Sequence, residues 1–196
     1  MTECGAGEGK TEYSTCTLRL GGMTISLKTA EEIDLPLVAA LMNAAYRGRE
    51  VGRSWTTEAG YITGERTNVG RLREEIAEGT QLLVTKDDSG ALVGCVSLQL
   101  KVGERWYLGG LSIDPALQNG GVGRELLRAA EKYAAAGGAG VIEMTVINIR
   151  EALISWYERR GYRRTGEVRA FPYGDDRFGV PMREDLAFVV LEKYLS

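Results

Sequence analysis

The stretch Leu111–Leu127, LSIDPALQNGGVGRELL, passes from an alternating apolar run through Asp114-Pro115 into a glycine cluster, then into residues at helical spacing. Asp114-Pro115 ends a strand, and Gly120, Gly121 and Gly123 strip the next turn of side chains. Val122, Leu126, Leu127, Ala130, Tyr133 and Ala134 then mark one face of a helix that Gly137-Gly138 closes. The first turn of any helix carries N–H groups without a partner in the helix, and about half a unit of positive charge. A bare turn at that place lets an anion approach the amides. The same residues also suit a plain glycine-rich turn, and spacing alone does not choose between the two. A dinucleotide-binding fingerprint fails, because the third glycine and the later acidic ribose partner are both missing from their required places.

On either side of this turn the pattern alternates between strand and helix. Met23–Ala30 reads as a strand, and Ile33, Leu37, Val38, Leu41 and Ala45 recur as a helical stripe. A Gly/Thr/aromatic loop over Gly48–Gly64 leads to a second helix through Leu72 and Ile76. Gln81–Lys86 and Ala91–Val102 read as strands joined at Asp87-Asp88-Ser89-Gly90, the second with Val96, Leu98, Leu100 and Val102 on one face. Trp106–Ile113 is a strand interrupted by Gly109-Gly110, Val141–Ile147 a buried strand, and Glu151–Arg160 a short helix. Two last strands, near Tyr162–Ala170 and Leu186–Tyr194, flank the loop FPYGDDRFGVP. This order predicts an α/β fold with a mixed sheet in one domain over residues 23–196, after a mobile lead-in over 1–22. The GEGKT in that lead-in has neither the glycine, the strand nor the helix of a phosphate-binding P-loop, and Met23 reads equally well as a start.

The composition narrows the chemistry. With 196 residues, 44% hydrophobic and 26% charged, the chain has the make-up of an ordinary globular domain. A net charge of −3 argues against nucleic acid as a partner. No apolar run reaches the ~20 residues of a membrane span, and no secretory signal opens the chain. Cys4, Cys16 and Cys95 suit a reducing compartment, so the expected location is cytoplasmic. The sequence contains no histidine. Imidazole bases and Cys/His zinc sites are therefore excluded, and no metal is expected.

The stretch LSIDPALQNGGVGRELL resembles the acyl-CoA-binding motif of the GNAT N-acetyltransferase superfamily, with Gln118, Gly121 and Gly123 at its defined positions. EALISWYERRGYRRTGE resembles the second motif of that superfamily, an aromatic Tyr157 followed by Gly161-Tyr162 and a strand. The order of elements matches as well, so the likeness covers nearly the whole chain after the lead-in. It implies a mostly antiparallel sheet with a splayed central strand pair and flanking helices. It also implies acetyl-CoA as co-substrate. The pyrophosphate would rest on the amides of Gln118, Asn119, Gly120, Gly121, Val122, Gly123 and Arg124. The pantetheine arm would run along Leu111, Ser112 and Ile113, with Gly109-Gly110 forming the bulge that opens the slot. Arg124 and Arg128, one helical turn apart, stand in reach of the nucleotide phosphates.

By the same resemblance the reaction is direct attack of a primary amine, small-molecule or peptide, on a thioester. Tyr157 would be the general acid toward the sulfur, and a backbone N–H near Leu111 would hold the oxyanion. Two positions depart from the family pattern. Tyr107 stands where several relatives carry a glutamate base, leaving Glu104, Glu58, Asp175 and Asp176 as candidates. Arg150 stands where many relatives have Asn, and is expected at the coenzyme or the substrate. The loops Gly52–Arg66 and Phe171–Pro181 should form the acceptor pocket, with Trp55, Tyr61, Tyr107, Phe171, Tyr173 and Phe178 as walls. Glu58, Asp175 and Asp176 would attract a cationic amine there. A non-catalytic acyl-CoA sensor with the same fold is the alternative. Homodimers recur among such proteins, so one is admitted here.

Overall fold

Gly109 and Gly110 lie in the strand that organises the whole sheet. The computed structural model describes residues 17–20, 23–48, 57–117 and 120–195. Along the chain come β1 (Thr17–Leu20), β2 (Met23–Ser26), β3 (Lys28–Thr29), α1 (Leu35–Arg47), β4 (Ile62–Thr63), α2 (Val69–Ala77), β5 (Gln81–Lys86) and β6 (Leu92–Leu100). Then follow β7 (Arg105–Ile113), α3 (Val122–Ala136), β8 (Val141–Ile147), α4 (Glu151–Glu158), β9 (Arg163–Ala170), β10 (Val180–Pro181) and β11 (Ala187–Tyr194). Seven of these strands form one sheet in the order β3-β5-β6-β7-β8-β11-β9. Every neighbouring pair in it is antiparallel except β7 and β8. The mixed, mostly antiparallel α/β sheet with flanking helices is therefore present. β1 and β2 form a separate hairpin, which draws residues 17–20 of the expected lead-in into a strand.

The period of β5 explains how the helices divide. Leu82 and Val84 pack with Leu35, Val38, Met42 and Leu72 of α1 and α2, while Leu83 joins the cluster around Leu126, Leu127 and Ala130 of α3. Alternate side chains of a strand face opposite sides, so α1 and α2 cover one face and α3 the other. In α1 the buried stripe is Leu35, Val38, Ala39, Leu41, Met42 and Ala45. Ile33 and Leu37, counted in the predicted stripe, are 76% and 53% exposed, because Ile33 belongs to a short 3-10 turn ahead of the helix and Leu37 faces outward. Leu100 and Val102 are likewise exposed, since β6 ends at Leu100 and its alternation runs on past the sheet.

The parallel pair carries the architectural consequence. β7 and β8 are in register only at Arg105↔Val141, Trp106↔Ile142 and Tyr107↔Glu143, and beyond that point they part. On its other edge β7 stays paired with β6, but Gly110 and Leu111 stand opposite the single residue Val96. That is a β-bulge, and Gly110 occupies it with a φ of 60°, a conformation natural only to glycine. A Cβ there would also lie 3.1 Å from Met42 Cε and 3.3 Å from Ser97 Oγ.

Cys95, on β6 beneath this bulge, is fully buried, and burial pushes its thiol up to about 12. Burial likewise raises Tyr61 to about 12, and it raises Tyr157 and Tyr162 as well. These groups keep their protons in the folded chain where an unfolded chain has lost them. The stability from that difference is complete below about pH 8 and drains as pH rises through the unfolded values toward the folded ones. Thermal melts should therefore be level from about pH 7 to 8 and fall steadily above pH 9, less steeply in a Cys95→Ala chain.

Candidate active site

Where β7 and β8 part, an open cleft of about 1110 Å³ begins, walled by Leu108–Leu111 on one side and Met144–Ile147 on the other. Tyr107 closes its floor: its hydroxyl shares a hydrogen bond of 2.7 Å with Thr145 Oγ1 across the two strands. The Asp114 N–H donates to Val93 O at 2.9 Å, so alternation along β7 turns the backbone polar groups of Ile113 away from β6. The carbonyl of Leu111 also points off the sheet and accepts the Tyr46 hydroxyl at 3.4 Å. Ser112 is different: it is buried, and its Oγ donates to Gly110 O at 3.0 Å. Among the described residues no strand pairs with β7 on its β8 side beyond Tyr107, and an extended amide-bearing arm could pair with that edge.

At the end of that edge, α3 begins. Gly121 caps it with a φ of 82°, and its carbonyl accepts the N–H groups of Arg124 (3.1 Å) and Glu125 (3.2 Å). The N–H groups of Val122 and Gly123 belong to the first turn and so have no partner within the helix. A Cβ on Gly123 would make ordinary contacts at 3.7 Å with Ile113 and 3.9 Å with Trp156, and one on Gly120 would meet only Leu117 O at 3.6 Å. Among the described residues, packing therefore does not require glycine at either position. Arg124 and Arg128 both lean on the buried Glu125, at 3.0 and 3.6 Å, with their guanidiniums otherwise exposed. Gln118 and Asn119 lie outside the described residues.

Tyr157 projects from α4 into the cleft lining. Its ring is held edge-on by Trp156 and Tyr162, with centroids 5.0 and 5.6 Å away. Its hydroxyl has no hydrogen-bond partner among the described residues. Burial, reinforced by Tyr46 and opposed by Arg150, raises its pKa, so the phenol keeps its proton throughout the neutral range.

The far wall does not match expectation. Glu58 is buried between two guanidiniums, with Oε2 2.5 Å from Arg47 Nη1 and Oε1 3.4 Å from Arg150 Nη1. It anchors cations of the protein itself and does not stand free to attract an amine or take its proton. Arg150, the N-cap residue of α4, is thereby placed in the cleft wall. Asp175 is tied to Arg177 at 2.6 Å, and that hydrogen bond holds its carboxyl below the usual range. Tyr173 accepts the Leu186 N–H at 2.8 Å and pins the loop. Phe171 and Phe178 do reach the cleft, whereas Glu104 does not, its carbonyl accepting Gly140 and Val141 at the other end of β7. Trp55 and the Asp176 side chain lie outside the described residues. Tyr46, Arg47 and Arg66 form much of the wall, yet they drew no notice in the sequence. Tyr46 and Arg47 fall at the end of the first helix, where the apolar stripe gives no sign of which polar residues turn inward. Among the described residues no group of acidic or cysteine side chains could hold a metal, and no helix is long and apolar enough to cross a membrane.

Comparison with known proteins agrees with this geometry. The family model described as acetyltransferase (GNAT) family matches residues 51–162. The fold is similar to that of the ribosomal-protein-S18-alanine N-acetyltransferase from Escherichia coli (16% identity, TM-score 0.62, covering 88% of this chain and 94% of that one). It is similar also to a spermidine N-acetyltransferase chimera built in part from Vibrio cholerae (16%, TM-score 0.61, 87% and 95%). A third likeness is an acetyl-CoA-bound acetyltransferase from Elizabethkingia anophelis (19%, TM-score 0.55, 64% and 82%). No curated protein matches the sequence.

Proposed function

The chain belongs to the acetyltransferase (GNAT) family, and from that premise we propose that it moves an acetyl group from acetyl-CoA to the primary amine of a small molecule or peptide. The observation that carries this reading is the edge of β7 left unpaired beyond Tyr107, followed by the α3 turn, where no described neighbour requires glycine at 120 or 123. Similar folds named for amine acetylation and for bound acetyl-CoA support the same reading.

The residues divide the work. The turn at Gly120–Gly123 supplies amide donors and the positive helix end to a diphosphate. Leu111 and Ile113 pair with the amides of the pantetheine arm. The coenzyme supplies an activated acetyl thioester. Tyr157 gives its proton to the departing sulfur as the C–S bond breaks and the C–N bond forms. The proton lost by the amine leaves through water or a cleft carboxylate. Among the cleft acids, Glu75 is half-buried and desolvation raises its carboxyl, which suits it to accept that proton.

Calorimetric titration with coenzyme A and thiol release from acetyl-CoA over a panel of amines test the proposal. Binding without thiol release on any amine would assign a sensor instead. Gly123→Ala makes the test local. The new methyl has room in the protein, so the fold should hold or gain up to about 1 kcal/mol. It also intrudes on the diphosphate, so the coenzyme Kd should rise at least ~10-fold. An unchanged Kd would remove the turn from the binding site.

A further inference from the structure

The cleft carries more positive charge than its carboxylates balance, and this imbalance lies next to the bulge. Glu58 holds two guanidiniums, those of Arg47 and Arg150. Glu143 pairs with Arg105 and Arg169, each of which has a second carboxylate as well, Glu192 and Glu167. Arg177 has Asp175 to itself. Arg66 is the exception: half-buried in the cleft wall, it has no carboxylate within ion-pair distance among the described residues. Lys101, also in the cleft lining, is exposed and donates to Gln99. Glu75 senses Arg66 only at longer range.

The place of Arg66 is fixed from both sides. Its backbone N–H donates to Asn43 Oδ1 at 2.6 Å, and Asn43 Nδ2 also ties Thr67 O at 2.8 Å, so this loop is fastened to α1. Its guanidinium lies over the Tyr46 ring, 5.2 Å from the centroid. The hydroxyl of that same ring reaches Leu111 O in the bulge. One phenol therefore separates the unpaired cation from the strand edge where the acetyl group would be presented. A guanidinium in a partly desolvated wall is best satisfied by an anion with two oxygens.

Building on the acetyltransferase reading, we propose that the acceptor is a small amine with an acid group close to its nucleophilic nitrogen, of the α-amino-acid class, and that Arg66 is the residue that selects for its carboxylate. The surrounding positive charge has a second effect. It disfavours a protonated ammonium beside it and so helps the amine to the neutral, attacking form. It also repels polyamines, which bring several cations of their own.

Thiol release and product mass are measured for wild type, Arg66→Leu and Arg66→Lys with free α-amino acids, the matching carboxamides and spermidine. Wild type should favour acids over their carboxamides by at least ~10-fold in kcat/KM. Arg66→Leu should bring that ratio close to one, mainly through a higher KM for the acids, and Arg66→Lys should restore part of it. An equal melting temperature shows that the fold is intact, and the wild-type ratio stands as a test even where a variant fails to fold. Turnover confined to carboxamides or spermidine, or a ratio that Arg66→Leu leaves unchanged, overturns the proposal while the acetyltransferase reading survives. No turnover on any arm removes both.

Discussion

Tyr157→Phe is expected to bind coenzyme A as wild type does and to lose at least ~10-fold in kcat, a positioned acid being typically worth about 10²–10⁴-fold. The phenyl ring keeps the edge-on contacts with Trp156 and Tyr162, and the hydroxyl that is removed has no partner in the described structure to leave stranded. The fold should therefore lose little, and the effect should appear in turnover. A phenol ordinarily near ~10 is a weaker acid than a thiol near ~8.5, and burial raises Tyr157 further. The same burial opposes a naked thiolate, so the proton moves only because both charges would be costly in that wall. Steady-state kinetics beside a coenzyme titration separates the two effects. An unchanged kcat would leave Tyr157 as a core aromatic and return the proton to water.

What could be read in the sequence follows from how locally each feature is determined. Gly110 and Gly121 were visible because a bulge and a helix cap at positive φ demand glycine at that very residue. The helix through Val122, Leu126, Leu127 and Ala130 was visible because its period is written in consecutive residues. The sign of the cleft was not. Glu58 seemed to offer a negative charge to a cationic amine, because its two neighbours come from α1 and from the start of α4, and no spacing joins Arg47 to Arg150. Arg66 was hidden for the same reason, since the Tyr46 ring beneath it belongs to another element. Tyr173 looked like a wall, and only the register of the last loop shows that its hydroxyl is spent on Leu186.

The second large effect should come from Glu58→Ala, which is expected to cost about 3–5 kcal/mol. Arg47 and Arg150 have side chains only 10% and 7% exposed, so removing the carboxylate that both contact leaves two guanidiniums close together in a buried wall. Arg47 keeps its bonds to Gly64 O and Phe178 O, which satisfy N–H groups but do not neutralise the charge. For a chain of this size each kcal/mol shifts the midpoint by roughly 2–4 °C, so the melt should fall by about 6–20 °C. Glu58→Gln should lie between, since it keeps the volume and one acceptor but not the charge. Glu32→Ala supplies the contrast: its partner Arg73 is 58% exposed, and such solvated surface pairs contribute little, so this melt should hardly move. Parallel melts of the three variants decide the point. Were Glu58→Ala to melt like Glu32→Ala, the paired guanidiniums would be solvated, and the cationic cleft that sets the acceptor's chemistry would lose its physical basis.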